Sequence, residues 1–561
     1  MNKSFARITG GALALAVLVA ACTSAAEPEP APGGSATRSP EAEPDPESES
    51  TAPEGTPIEE EDPAEEFAAD ATVLTVAIPE PSTLDPMRIK DPGSTLIARQ
   101  LYEGLTKWDP EQEAVVPAAA ESWTASNGGR TFTFTLRSGM TFHDGTPVTS
   151  ADFRFAFERI ALRRNASDLA YTLDRVRGFL QANQLGGRKK LSGISAPNKK
   201  TLIIRLSEPY YDFPAVLTHP GLVPLQKDSV EDLDEFLASP VGNGPFKMAR
   251  EWSPGEAIVL EAFAESPFGE PELDGIAFEP VVDAAQSWLA FDRGDIDVAE
   301  VPIGQFSYAA GKYGEEGYRP FLAGYYYGLN MRSGALSRRR AREAINLAID
   351  REAIAQDIYQ GSMAPPRGIV PAGMPGFDNN LCASACTYQP SKARRLVRRL
   401  PRGGRNLSLE YTEGSPHRQV ARAVKQDLQR AGFRVAVKGY SFRRFLQRLT
   451  AGRGGVYRLG WIAEYPAPDV FLTSLFDSAS PDNHSGFDSA KVDVMLDRAH
   501  RQTDPHRRLQ LYRKAERAIM KRTPVVPIGT FMTHWAAQSN VAGIQFDVIG
   551  GFDAAEVSVE R

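Results

Sequence analysis

Cysteine and histidine are scarce in this chain, with 3 and 7 of them in 561 residues. That argues against a thiol- or imidazole-rich metal centre, which needs several such ligands at short spacing. Catalytic signatures are missing as well. There is no Gly-x-Ser-x-Gly elbow, no Walker loop, no complete Gly-x-Gly-x-x-Gly and no His-Glu-x-x-His, so the common hydrolase, nucleotide and zinc chemistries lack their residues. His143, in the turn-like run Phe142-His143-Asp144-Gly145-Thr146-Pro147, reads as a backbone-bonding histidine rather than a proton carrier. No metal, cofactor or catalytic residue is expected, and no unit of 20–50 residues repeats. Long apolar runs are missing too. The stretch from Ala12 to Val19 is too short to span about 30 Å of hydrocarbon as a permanent helix.

That stretch belongs to a different device. Lys3 and Arg7 precede it and the small residues Ala20-Ala21 follow it, a secretory signal peptide over residues 1–22. Val19-Ala20-Ala21-Cys22 resembles the bacterial lipobox, in which the cysteine is acylated and becomes the new N-terminus. Acyl chains contribute about 0.8 kcal/mol per buried CH₂, so the expected mature protein is extracytoplasmic and anchored to the cell membrane by lipid. Residues 23–70 then read as a disordered acidic linker. Residues 1–70 hold 15 acids and 3 bases, and large apolar side chains are nearly absent from the linker.

Charge divides unevenly. The chain carries 63 bases and 71 acids, which leaves 60 and 56 beyond residue 70. The folded part is therefore near neutral, no concentrated basic face is expected, and nucleic acid is not an expected partner. The runs Arg338-Arg339-Arg340 and Arg394-Arg395 with Arg398-Arg399 read as solvated helix faces. Cys382 and Cys386, in an exported chain, read as a disulfide.

About 490 residues exceed one core, so two or more lobes are expected. Val73 to Ile78, Thr131 to Leu136 and Leu202 to Leu206 have strand patterns, whereas Arg340–Tyr359 and Leu496–Lys521 carry helical periodicity. The chain thus mixes α and β.

Several segments in order resemble one family, the extracellular solute-binding proteins of family 5, which serve ABC importers of peptides and nickel chelates. They include Leu84-Asp85-Pro86, Leu101-Tyr102-Glu103-Gly104-Leu105 and Pro117-Ala118-Ala119-Ala120-Glu121-Ser122-Trp123. The signature-like run Phe132 to Asp152, Pro240 to Lys247, Tyr327-Gly328-Leu329-Asn330, and Gly460-Trp461-Ile462-Ala463-Glu464-Tyr465-Pro466-Ala467-Pro468-Asp469 complete the series. The resemblance implies an α/β, two-lobed periplasmic-binding-protein-like fold, with an extra subdomain inserted in the first lobe and a ligand cleft between lobes. It places the first lobe at 71–115, the inserted subdomain at 116–235, first-lobe continuation at 236–325, the second lobe at 326–530 and a return at 531–561. The chain would cross between lobes near 323–330 and 525–533.

It also implies function: a monomeric receptor that captures a small ligand, an oligopeptide by preference, and delivers it to an ABC permease and its ATPase. A sensory or structural lipoprotein, or a binder of oligosaccharides or metal chelates, stays open, and Tyr325, Tyr326 and Tyr327 leave room for a sugar platform. Peptide-binding members hold the ligand's α-amino group with an aspartate three residues after the motif tryptophan. This chain has Glu464 there, with the same charge and one more methylene. Trp461 and Tyr465 offer aromatic faces to ligand, or else belong to the core. Lys90 and Arg88 lie where family ligands run as an added strand, and they either receive a ligand carboxylate or remain in solvent. For the anchor, Cys22→Ser is expected to move the protein out of the membrane fraction or stall its precursor, as fractionation and immunoblotting would read.

Overall fold

The computed structural model describes residues 67–560, except 69, 188, 189, 282, 383 and 384. Cys22 and the linker up to residue 66 lie outside the described residues.

Ten strands line up in one mixed sheet. In order across it they are Arg434–Tyr440, Asn406–Thr412, Val456–Ile462, Gly317–Leu329, Val525–Ala537, Val298–Glu300, Val73–Pro79, Gly275–Val281, Ile258–Ala262 and Phe246–Met248. Met363–Ala364 adds an eleventh strand against Val525–Ala537. The two longest strands, Gly317–Leu329 and Val525–Ala537, are antiparallel neighbours in the middle, and their register slips twice, between Pro320 and Gly324 and between Tyr325 and Tyr326. Such bulges bend and twist a strand pair locally. Here they fall where the chain passes from one apolar core to the next.

Those cores are distinct. One joins Leu74, Phe134, Phe157, Leu202, Phe278 and Phe552, and so fuses residues from both ends of the chain with a separate four-stranded sheet. That sheet runs Ala120–Ser126, Thr131–Leu136, Thr201–Arg205, Ile194–Asn198 and carries helix Ser150–Ala161. Phe132, Phe134 and Leu136 are buried while Thr131, Thr133 and Thr135 are half-buried, the alternation expected of a strand covered mainly on one face. Two further cores, around Ile345 with Val424 and around Phe471 with Ile519, belong to the other end of the sheet.

Turn chemistry follows the sequence closely. Gly139 and Gly145 have φ of 80° and 81°, values that a side chain would strain. His143 accepts from the Gly242 amide at its Nδ1, 3.1 Å away, and its Nε2 lies 3.2 Å from the Gly244 carbonyl oxygen, so it is a backbone-bonding residue. Two long helical patterns are interrupted. The first helix spans Arg339–Ala348 and restarts at Arg351, because the Asp350 side chain caps the Ala353 amide and its own amide is held by buried Asp427. The second is two helices, Ala490–His500 and Pro505–Met520, split by the Asp504 cap and Pro505. Cys382 and Cys386 are joined by a disulfide.

One expectation is corrected. Near-neutral overall charge conceals a concentrated basic face, since residues 391–453 hold 17 bases and 3 acids. Helices Pro390–Arg398, His417–Ala431 and Phe442–Thr450 turn their apolar stripes inward, which leaves the arginines on the outer surface.

A buried ion pair braces the first lobe. Asp85 is 1% exposed and receives Arg159 in bidentate fashion at 2.6 and 2.8 Å. Arg159→Met is expected to leave that carboxylate alone and to lower unfolding free energy by about 3–5 kcal/mol in urea denaturation.

Candidate functional site

The Gly-Trp-x-Ala motif sits where strand Val456–Ile462 leaves the sheet. Pairing with Gly317–Leu329 puts Trp461 opposite Gly324 and Ile462 opposite Ala323. The Ala463 amide still donates to Leu322, at 2.8 Å, after which the chain turns through Pro466 and Pro468 into helix Asp469–Phe476. That exit points the motif at the inserted subdomain, which supplies Tyr171, Arg175, Tyr210 and His219.

Glu464 is partly buried, and the charged-group contact it makes is with His219 Nε2, 3.8 Å from its carboxylate. Burial drives the His219 pKa down to about 4, so that imidazole is neutral at physiological pH. Burial likewise raises the Glu464 pKa, opposed by the nearby Tyr171 hydroxyl, which is itself buried without a well-formed hydrogen bond. Among the described residues no lysine or arginine pairs with Glu464. A carboxylate partly withdrawn from water with no cation beside it is an unmet demand for positive charge.

Next to it lies a denser polar network, in which Asp469 Oδ1 and Arg175 Nη1 are nonetheless buried without a hydrogen-bond partner. Tyr210, fully buried, donates to Asp469 at 2.7 Å, and its hydroxyl oxygen lies 3.3 Å from the Tyr465 hydroxyl. The Arg175 guanidinium stacks over the Tyr210 ring, 3.8 Å from its centroid, and approaches Asp469 at 3.6 Å. His500 comes within 3.8 Å of the same oxygen. A second buried carboxylate, Asp212, takes Arg508 at 2.6 Å and the Tyr512 hydroxyl at 2.7 Å. Tyr465 packs against the apolar cores on both sides. Residues from the inserted subdomain and from helices near the C-terminus are thus locked into one polar cluster. Burial raises the pKa of both carboxylates, with Arg175 opposing at Asp469 and Arg508 at Asp212.

The other residues singled out in sequence fare differently. Trp461 is half-buried against the second-lobe core, and its indole N–H is buried without a partner among the described residues. Lys90 pairs with Asp168 at 3.3 Å, and Arg88 donates to the Asn165 carbonyl at 3.1 Å. No strand forms there. Pro86–Arg88 is a helical turn, and Asp91 caps the helix Pro92–Leu101. Both bases have partners here, Lys90 in an ion pair whose side chains stay 41% and 26% exposed. Tyr325, Tyr326 and Tyr327 are at most 9% exposed and form core rather than a sugar platform.

Sequence reasoning overlooked Arg458. It is 6% exposed, its guanidinium lies 4.4 Å from the centroid of Tyr325, and it reaches only Thr412, at 3.5 Å. Its Nε and the neighbouring His417 Nδ1 are buried without partners, and among the described residues no carboxylate faces it. The available signal was a lone cation inside the otherwise apolar strand Val456-Tyr457-Arg458-Leu459. Arg175, Tyr210 and His219 gave no local signal, because only folding brings them to the motif.

Comparison with known proteins decides the family. The model of bacterial extracellular solute-binding proteins, family 5 (middle) matches residues 114–483. The chain belongs to that family. It is 26% identical over 495 residues to the oligopeptide-binding protein OppA of Bacillus subtilis (strain 168), covering 84% of this chain and 90% of that one. Among solved structures, OppA of Burkholderia pseudomallei superposes with TM-score 0.68 at 25% identity, covering 88% of this chain and all of the other. The unliganded open form of the periplasmic murein tripeptide-binding protein MppA gives TM-score 0.78 at 24% identity, covering 88% and 98%.

As a family 5 protein the chain is a solute-binding protein and not an enzyme, with the two-lobed architecture of its structural neighbours. Among the described residues no helix is long and apolar enough to cross a membrane. In this solute-binding protein the Asp469 cluster carries a pH signature. A carboxyl whose pKa is higher folded than unfolded binds more protons in the native state, so native stability falls as pH rises above its ordinary value. Asp469→Asn removes that titration. The variant is expected to gain on the native protein as pH rises from about 4 toward neutrality, with the difference constant at lower pH, in thermal melts across a pH series.

Proposed function

We propose that this protein captures short peptides between its inserted subdomain and second lobe, and delivers them to an ABC permease and its ATPase from a lipid anchor at Cys22. The observation that carries the reading is Glu464, a partly buried carboxylate with no lysine or arginine beside it. A peptide's free α-ammonium supplies the missing charge.

Arg458 supplies the complementary demand. Its buried guanidinium lacks a carboxylate, and four residue steps along the strand, about 13 Å, lead from Arg458 to Ile462 at the edge of the Glu464 turn. An extended peptide of three or four residues spans that length. In this reading Glu464 takes the N-terminus and Arg458 the C-terminus, while Lys90 and Arg88 are engaged with Asp168 and Asn165. Trp461 and Tyr465 flank the peptide, and rotation about Gly317–Leu329 and Val525–Ala537 closes the cleft over it. The names of the relatives, oligopeptide- and dipeptide-binding proteins among them, support the same ligand class. An oligosaccharide loses its support once Tyr325 to Tyr327 are core.

Calorimetric titration of trialanine, N-acetyl-trialanine and trialaninamide against the native protein, Glu464→Gln and Arg458→Met tests the assignment. Acetylation and Glu464→Gln are each expected to cost about 2–5 kcal/mol, and together little more than either alone, because both remove one shared interaction. Amidation and Arg458→Met should behave as the second such pair. Additive losses, or no loss on blocking the termini, would remove both residues from the ligand's ends.

A further inference from the structure

The arginine-rich face of the second lobe plays no part in the cleft. Residues 391–453 build the outermost strands of the main sheet, Asn406–Thr412 and Arg434–Tyr440, together with helices Pro390–Arg398, His417–Ala431 and Phe442–Thr450. Thirteen of their bases are exposed, among them Arg394, Arg398, Arg434 and Lys438. Two of the three acids in the stretch are already occupied, Glu410 by Arg448 at 3.0 Å and Asp427 by Arg430 at 2.9 Å. Between helix His417–Ala431 and the sheet edge, Arg418, Arg422 and Lys425 line a cavity of about 410 Å³ with Tyr411 and Val437. Crowded like charges repel one another and raise the local concentration of anions.

A matching anion lies in the same chain. Residues 27–66 hold fourteen acids and one base, Arg38. Reach fits as well. The described chain begins at Phe67, packed with Ala71, Val73 and Ala277 just ahead of strand Val73–Pro79. That strand stands six places from the edge strand Arg434–Tyr440, about 29 Å at about 4.8 Å per step. Forty residues of coil have a root-mean-square span of about 32–38 Å. A linker whose span matches the separation gives the highest effective concentration.

We propose that the acidic segment 27–66 docks within its own molecule on the basic face of the second lobe. Nine prolines in the segment argue against its adding a strand to the edge, so charge and not backbone pairing holds it. A docked segment links the chain's entry on the first lobe to the far edge of the second. The inference is independent of which ligand the cleft takes.

Zero-length carbodiimide cross-linking of the purified protein with its whole acidic segment, read by peptide mass spectrometry, tests the docking. Lys392, Lys425 and Lys438 are the lysines of the face. Cross-links from the acids of 27–66 are expected to favour them about five-fold over lysines elsewhere, at any protein concentration. They should vanish at about 1 M salt, where the screening length is about 3 Å. The pair Arg418→Glu with Arg422→Glu changes two exposed side chains and should cut those cross-links about five-fold while the thermal transition stays put. Cross-links spread over all lysines according to exposure would overturn the proposal. So would links found only between differently isotope-labelled copies, which would make a second molecule the occupant, or links indifferent to the double substitution.

Discussion

The carboxylate of Asp469 cannot be buried alone, and the way it is satisfied fixes how the halves of this molecule meet. Tyr210 and Arg175 come from the inserted subdomain, whereas Asp469 and His500 come from helices of the second lobe. The pair Asp212 and Arg508 repeats the arrangement close by. Withdrawing such groups from water costs several kcal/mol per charge unless partners arrive in good geometry. Each half therefore completes the other's polar surface, and the Glu464 turn beside it inherits a defined position.

That position separates two kinds of buried charge. Asp469 and Asp212 have arginines and tyrosine hydroxyls against them and so serve the fold. Glu464 has a neutral imidazole and Arg458 an aromatic ring, a threonine and no acid. The contrast lies in charge pairing, since an arginine stands 3.6 Å from Asp469 and 2.6 Å from Asp212, whereas Glu464 faces only an imidazole. Neither Glu464 nor Arg458 has chemistry to perform, and both can be neutralised by a ligand that carries the opposite charges at its ends.

The long strands Gly317–Leu329 and Val525–Ala537 let such a site open. Their backbone pairing runs past three apolar cores, and its two register slips fall at Pro320–Gly324 and Tyr325–Tyr326.

Much of this was written in the sequence. The strands at Val73, Thr131 and Leu202 showed their alternation, Gly139 and Gly145 announced positive φ, and the order of motifs gave the family and hence the two-lobed plan, because period, turn and cap are local properties of the chain. Glu464 was legible through its motif. What tertiary structure alone decided are the relations between distant residues. Arg340–Tyr359 looked like one helix until Asp427, some 77 residues from Asp350, held the amide that breaks it. Lys90 and Arg88 looked free until Asp168 and Asn165 arrived, and three adjacent tyrosines looked available until the sheet covered them. The basic face was hidden by averaging, because charge counted along a chain cancels and charge placed on a surface does not. Local pattern determines which elements form, whereas the partners of a buried charge come from wherever the fold brings the chain back, and those partners divide ligand site from scaffold.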